Sequence, residues 1–142
     1  MTTAPLLLIT HDPSHPMAQL AFRFAKAYLE GAASQKTDDQ ENDDQTNAKL
    51  AVFFYGDGAQ TANRLRWQSA DVTDITKLWQ NLFDHYQLAL PVCVSTALSR
   101  GISDTDNSRR HELLGDNLAE GFSLVGLGEL AAMMNDRRLL QF

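Results

Sequence analysis

The chain has 142 residues with 44% hydrophobic and 21% charged side chains, which describes one domain over residues 1–142 with a sizeable core and excludes a fibrous or wholly disordered protein. Its formal net charge of −6 argues against direct nucleic-acid binding and against binding to an anionic membrane, since both call for a basic footprint. A single cysteine excludes an internal disulfide framework, and no stretch approaches the roughly 20 apolar residues of a membrane span.

The apolar start at residues 6–9 is too short for a secretory leader and has no basic region before it, so a cytoplasmic protein is expected. That run, LLLI, is closed by His11-Asp12-Pro13 and predicts a strand buried on both faces. Met17, Leu20, Ala21, Phe24 and Tyr28 then recur at helical spacing, with Gly31 as the stop. Residues 34–47, SQKTDDQENDDQTN, hold five acids, one lysine and no apolar side chain. With nothing to bury against the entropy of ordering, they read as a flexible loop, a tolerated insertion more than an acidic lure for a basic partner.

Residues 50–55, LAVFFY, predict a second buried strand closed by Gly56-Asp57-Gly58. Ile75, Leu78, Trp79, Leu82, Phe83 and Tyr86 share one helical face, with Asp71 or Thr73 as the N-cap. Residues 90–94 predict a third strand with Pro91 near its first position, where a missing N–H is tolerated. Ser95 and Thr96 open a short helix ending near Gly101, residues 103–107 read as a turn, and 109–118 as a further helix or an irregular stretch. Residues 122–125 predict a fourth strand, 127–134 a helix and 138–142 a fifth strand. The alternation predicts a layered α/β fold with a mainly parallel five-stranded sheet flanked by helices and right-handed crossovers.

In such sheets reactive groups gather beyond the carboxyl ends of the strands. Three ends stand out: Thr10-His11-Asp12, Tyr55-Gly56-Asp57 and Cys93-Val94-Ser95. Cys93 falls just before a helix start, whose N–H groups would favour a thiolate. An inert small hydrophobe is the commoner role of a lone cysteine in a core strand, and both readings stand at this point. With no second cysteine, a reactive Cys93 must exchange with another molecule, which suits sulfur carried as a persulfide.

Other patterns carry less. Gly126-Leu127-Gly128-Glu129-Leu130-Ala131 matches a dinucleotide fingerprint, but too few residues follow to supply its ribose-binding acid, so the glycines read as close packing of the last helix on the sheet. His11 and His15 are interrupted by Pro13 and lack a supporting carboxylate or thiol cluster, so no metal is expected. His11 and Arg100 are candidates to tune Cys93, although a solvated turn residue and an exposed helix-end arginine are the plainer readings. His85 and His111 have no supporting constellation, and Ser95 and Ser99 lack a nucleophile elbow.

Residues 92–101, VCVSTALSRG, preceded by Gln87-Leu88-Ala89-Leu90, resemble the active-cysteine segment of the DsrE/TusD sulfur-carrier family. Residues 52–58, VFFYGDG, with Ala62-Asn63 soon after, resemble the second strand and following loop of that family. The stretches GFSLVGLGEL at 121–130 and DRRLLQF at 136–142 extend the likeness across nearly the whole chain from Leu6. The resemblance implies a DsrE-like fold and a sulfurtransferase that carries persulfide sulfur on Cys93 without a cofactor. It further implies a heterohexamer with homologous TusB-like and TusC-like subunits, a TusA-like sulfur donor and a TusE-like acceptor, serving 2-thiolation of the wobble uridine of certain tRNAs. Two alternatives stay open: a DsrE-type subunit of dissimilatory sulfur oxidation, and a non-catalytic scaffold of the same fold. The loop THDPSHP at 10–16 departs from the glycine- and proline-bearing loop of the family, and the acidic segment is longer than its usual connection.

Overall fold

The computed structural model describes residues 3–34 and 49–142. The acidic segment lies outside the described residues, apart from Ser34, which ends the first helix. Strands β1 (Pro5–Ile9), β2 (Ala51–Phe54), β3 (Leu90–Cys93), β4 (Phe122–Val125) and β5 (Arg138–Gln141) form one sheet in the order β4-β3-β2-β1-β5. All four neighbouring pairs are parallel, in keeping with the continuous apolar runs of the first three strands. Between β2 and β3 the register reduces to Phe54 against Val92, beside Pro91, which has no N–H to give a ladder.

The order of the strands dictates where the helices lie. From β1 to β4 the chain steps always toward the same edge, so right-handed crossovers carry α1 (Pro16–Ser34), α2 (Ile75–Tyr86) and α3 (Val94–Ser99) onto one face. The return from β4 to the far side of β1 steps the other way and lays α5 (Leu127–Met133) on the opposite face. Two cores result. The larger joins Leu7, Ile9, Val52, Phe54, Leu90 and Val92 of the sheet to Ala21, Trp79, Leu82 and Ala97 of the helices, and the smaller holds Leu6, Phe53 and Cys93 under α5.

Several expectations are corrected. Helix α1 runs through Gly31 to Ser34, and it turns Ala18, Ala21 and Ala25 to the sheet while Leu20 is 49% exposed. A face of small residues lets the helix axis lie close, with Phe22 and Phe24 packing in from the flanks. The N-cap of α2 is Asp74, not Asp71 or Thr73: its carboxylate accepts from the N–H groups of Thr76 (3.1 Å) and Lys77 (3.4 Å), a reach that only the residue next to the first turn has. The stretch read as a turn holds α4 (Thr105–Arg110), because Asp104 Oδ1 accepts from the Asn107 N–H at 2.8 Å. Residues 111–118 form no helix.

After β2 the chain enters a 3₁₀ helix, Gly56–Ala62, that the glycines had marked only as a turn. Gly58 is required there for a reason of space: a Cβ would overlap the Ile9 carbonyl oxygen and sit 2.8 Å from its carbon. That same oxygen accepts the Tyr55 N–H at 2.9 Å, so the clash falls on the joint between β1 and β2. Gly58→Ala is expected to cost about 1–3 kcal/mol, as overpacking against backbone does. Denaturant unfolding checks it, and an unchanged midpoint would show that the segment shifts freely.

Candidate functional site

Period-two alternation sends Leu90 and Val92 toward α1 and α2, and Pro91 and Cys93 toward α5. Cys93 ends β3 and is 2% exposed. Its thiol lies in an apolar layer with Leu6 and Phe53, against which Leu8, Val125, Leu130 and Met133 pack. It is also the N-cap residue of α3, but its side chain makes no capping hydrogen bond. The helix thus starts directly after Cys93, as expected, but its N–H groups give the thiol no hydrogen bond. Helix α3 packs through Ala97 into the core on the other face and is only six residues long.

The cover over Cys93 is lightly packed. Helix α5 has no buried residue, and Leu127 and Met134 are 50% and 45% exposed. Leu139, whose register with Leu6 puts it on the same sheet face, is 41% exposed. A layer with so little buried area opens at lower free energy than the helices opposite. The glycines before and within α5 are not there for close packing, which corrects that reading: a Cβ at Gly126 or Gly128 would meet nothing within 4 Å.

Of the three strand ends, the structure joins two. Arg100, just past α3, donates from Nε (3.1 Å) and Nη2 (3.0 Å) to Asp57 Oδ1 at the end of β2, and from Nη1 to the Thr96 carbonyl (3.1 Å). The guanidinium thus clamps the helix that follows Cys93 onto the 3₁₀ segment that follows β2. With Arg100 partly exposed and Asp57 well exposed, solvent screens the pair, so Arg100→Ala is expected to cost about 0.5–1 kcal/mol, less in high salt. A thermal melt at low and high ionic strength checks this, and a loss that ignores salt would contradict it.

The third end lies beside the 3₁₀ segment, where Gly58 approaches Thr10, but its side chains bond elsewhere. His11 stacks on His15 with ring centroids 4.2 Å apart, and its buried Nδ1 has no hydrogen-bond partner among the described residues. His15 Nδ1 accepts the Met17 N–H at 3.0 Å. Burial pushes the Asp12 carboxyl up, but hydrogen bonds from the Ser14 hydroxyl and N–H, with Arg66 and His15 nearby, outweigh it and hold the group below its ordinary value of 3.8. Thr10 donates from both its N–H (2.8 Å) and its hydroxyl (2.9 Å) to the Phe142 carbonyl, closing the crevice between β1 and β5 where the winding direction reverses. Among the described residues no three His, Cys, Asp or Glu side chains are placed to hold a metal, and no helix is long and apolar enough to cross a membrane.

The sequence reading missed Asn117. Its amide donates to Asn63 Oδ1 and to the Gly101 carbonyl (3.0 Å each) and accepts the Ser103 N–H (2.9 Å), pinning together the loops beyond β2 and β3. No periodic signal marks a residue whose partners are all in loops.

Comparison with known proteins agrees with this fold. The family model described as the DsrE/DsrF-like family matches residues 5–142. The chain is 42% identical over 127 residues to the sulfurtransferase TusD of Klebsiella pneumoniae, covering 88% of each chain. It is 38% identical over 126 residues to a sulfurtransferase TusD homolog of Vibrio parahaemolyticus, covering 88% of this chain and 86% of that one. The crystal structure of the ychN protein from E. coli superposes with a TM-score of 0.70 over 100% of both chains at 18% identity, a likeness of fold.

Proposed function

Because the chain belongs to the DsrE/DsrF-like family, we propose that it is a sulfurtransferase subunit of a sulfur-relay complex, with Cys93 as the persulfide carrier. The observation that carries this reading is the position of the chain's one cysteine, at the carboxyl end of a sheet strand under a thin apolar cover. In the proposed step the Cys93 thiolate attacks the outer sulfur of a donor persulfide. A new S–S bond forms, the donor's S–S bond breaks, and the donor leaves as a thiolate. The product is Cys93–S–SH, with no net oxidation, and an acceptor thiolate repeats the exchange.

An apolar layer suits this work. It keeps water and oxidants from the outer sulfur between transfers, and α5 is the element whose displacement uncovers it at least cost. We assign the donor as TusA-like and the acceptor as TusE-like, the neighbours as TusB-like and TusC-like subunits, the compartment as the cytoplasm and the end use as 2-thiolation of the tRNA wobble uridine. These assignments draw on the likeness to relatives named TusD.

Burial of Cys93 supports a second reading, a scaffold subunit in which the thiol stays silent. One experiment separates the two: the complex is incubated with a persulfide donor and the intact chains are weighed. The carrier gains one sulfur atom, lost again to a reducing thiol. A scaffold gains nothing under the same conditions.

A further inference from the structure

Beyond the 3₁₀ segment the chain reads Asn63-Arg64-Leu65-Arg66-Trp67-Gln68 and forms neither helix nor strand apart from a single antiparallel bridge, Asn63 to Leu118. Between this stretch and the first turn of α2 lies a cleft of about 350 Å³, lined among others by Arg64, Arg66, Trp67, Lys77 and Gln80. Its charges are unequally served. Asp74 also lines it, but its carboxylate caps α2 and stands 4.0 Å from Lys77 Nζ. Arg64 is held by Asp116, at 3.4 Å from the carboxylate and 2.8 Å from the carbonyl. Arg66 lies near enough to Asp12 to favour its charged form, but among the described residues it makes no ion pair and its buried Nη1 has no hydrogen-bond partner. A guanidinium N–H withdrawn from water without an acceptor is costly, and an incoming carboxylate removes that cost.

Exposed apolar side chains stand in and beside the segments that carry this basic lining. Trp67 is 81% exposed and Leu65 70%, and on the loop tied to Arg64 through Asp116, Leu113 is 47% exposed and Leu114 fully so. Tryptophan and arginine grouped around exposed apolar side chains are the composition of a protein–protein contact. A free small anion would answer Arg66 and leave Trp67 and Leu65 in water. A nucleic-acid backbone would answer Arg66 but bring no apolar side chains to cover Leu65, Leu113 and Leu114. We propose that this cleft docks an acidic segment of another protein, one that brings a carboxylate to Arg66 and Lys77 and lays apolar side chains over Trp67 and Leu65. The proposal goes beyond the sulfur chemistry and does not rest on it. Through Asn63 and Asn117 the docking segment is tied to Gly101, at the end of the helical turn that follows Cys93.

The test uses the full-length chain and a short fluorescein-labelled peptide with the repeat Glu-Leu-Asp-Phe, followed by anisotropy. The expected result is saturable binding that weakens about tenfold or more in Arg66→Gln and in Trp67→Ala, and weakens as salt is raised. A peptide with lysine in place of the acids is expected not to bind. Lys77→Ala, at an exposed position, carries the same expectation should Arg66→Gln fail to fold. Absence of binding, or binding indifferent to these substitutions, overturns the proposal. So does an oligouridylate that binds through the same residues, or inorganic phosphate that displaces the peptide completely at millimolar concentration.

Discussion

Replacing Cys93 with serine is expected to abolish the uptake of sulfur from a persulfide donor, and the loss is expected to be total. A hydroxyl at neutral pH neither attacks a sulfane sulfur nor holds a stable persulfide, and the chain has no second cysteine to take over. Intact-mass measurement of wild-type and Cys93→Ser complexes reads this directly, and a mass gain that survives in the variant would sink the assignment. The serine hydroxyl enters a layer formed by Leu6, Phe53 and Leu130, where an unpaired polar group costs about 1–3 kcal/mol. Cys93→Ala is therefore the companion variant: it brings no polar atom, so loss of sulfur uptake in a chain that melts near the wild-type temperature isolates the chemistry from the fold. Wild-type Cys93, at 2% exposure, is expected to react with iodoacetamide far more slowly than a free thiol, at a rate set by how often α5 moves aside. Trimming the α5 contact by Met133→Ala is expected to raise that rate.

The strands were legible because burial on both faces writes itself as an uninterrupted apolar run, as at Leu6-Leu7-Leu8-Ile9 and Val52-Phe53-Phe54. Parallel pairing followed from their alternation with helices. What could not be read was any feature whose cause lies across the sheet. Which face receives Cys93 depends on a register fixed by partner strands, and the winding that puts α5 on that face alone depends on β5 pairing with β1. So a thiol expected to meet the start of α3 is found under α5. The site partners show the same division: Asp57 and Arg100 were each visible as strand-end or helix-end residues, but their 3.0 Å contact spans 43 positions of sequence and has no local signal. In α1 the periodicity was right and the phase was not, because packing distance favoured a face of alanines over the more apolar face through Leu20.

The largest loss of stability is expected from Trp79→Ala. Trp79 is 1% exposed at the centre of the larger core. It meets Phe54 of β2 edge-on at 5.4 Å and 88°, and Phe22 of α1 at 5.5 Å and 82°, so one indole joins both long helices to the sheet. Phe54 continues the chain of rings to Phe122 of β4 at 5.4 Å. Truncation removes the apolar transfer term, leaves a cavity that close-packed neighbours fill only in part, and deletes two edge-to-face contacts. Together these cost about 3–5 kcal/mol. Against a typical total of about 5–15 kcal/mol for a domain, that is a large fraction, and the melting temperature is expected to fall by roughly 10–20 °C. Trp79→Phe, which keeps a ring in the site, is expected to fall by less than half as much. Equal losses in the two variants would mean that the indole is held by something other than its aromatic neighbours. Because α2 and its neighbours lie across the sheet from Cys93, a folded Trp79→Phe chain is expected to take up sulfur as the wild type does, with the cost confined to stability.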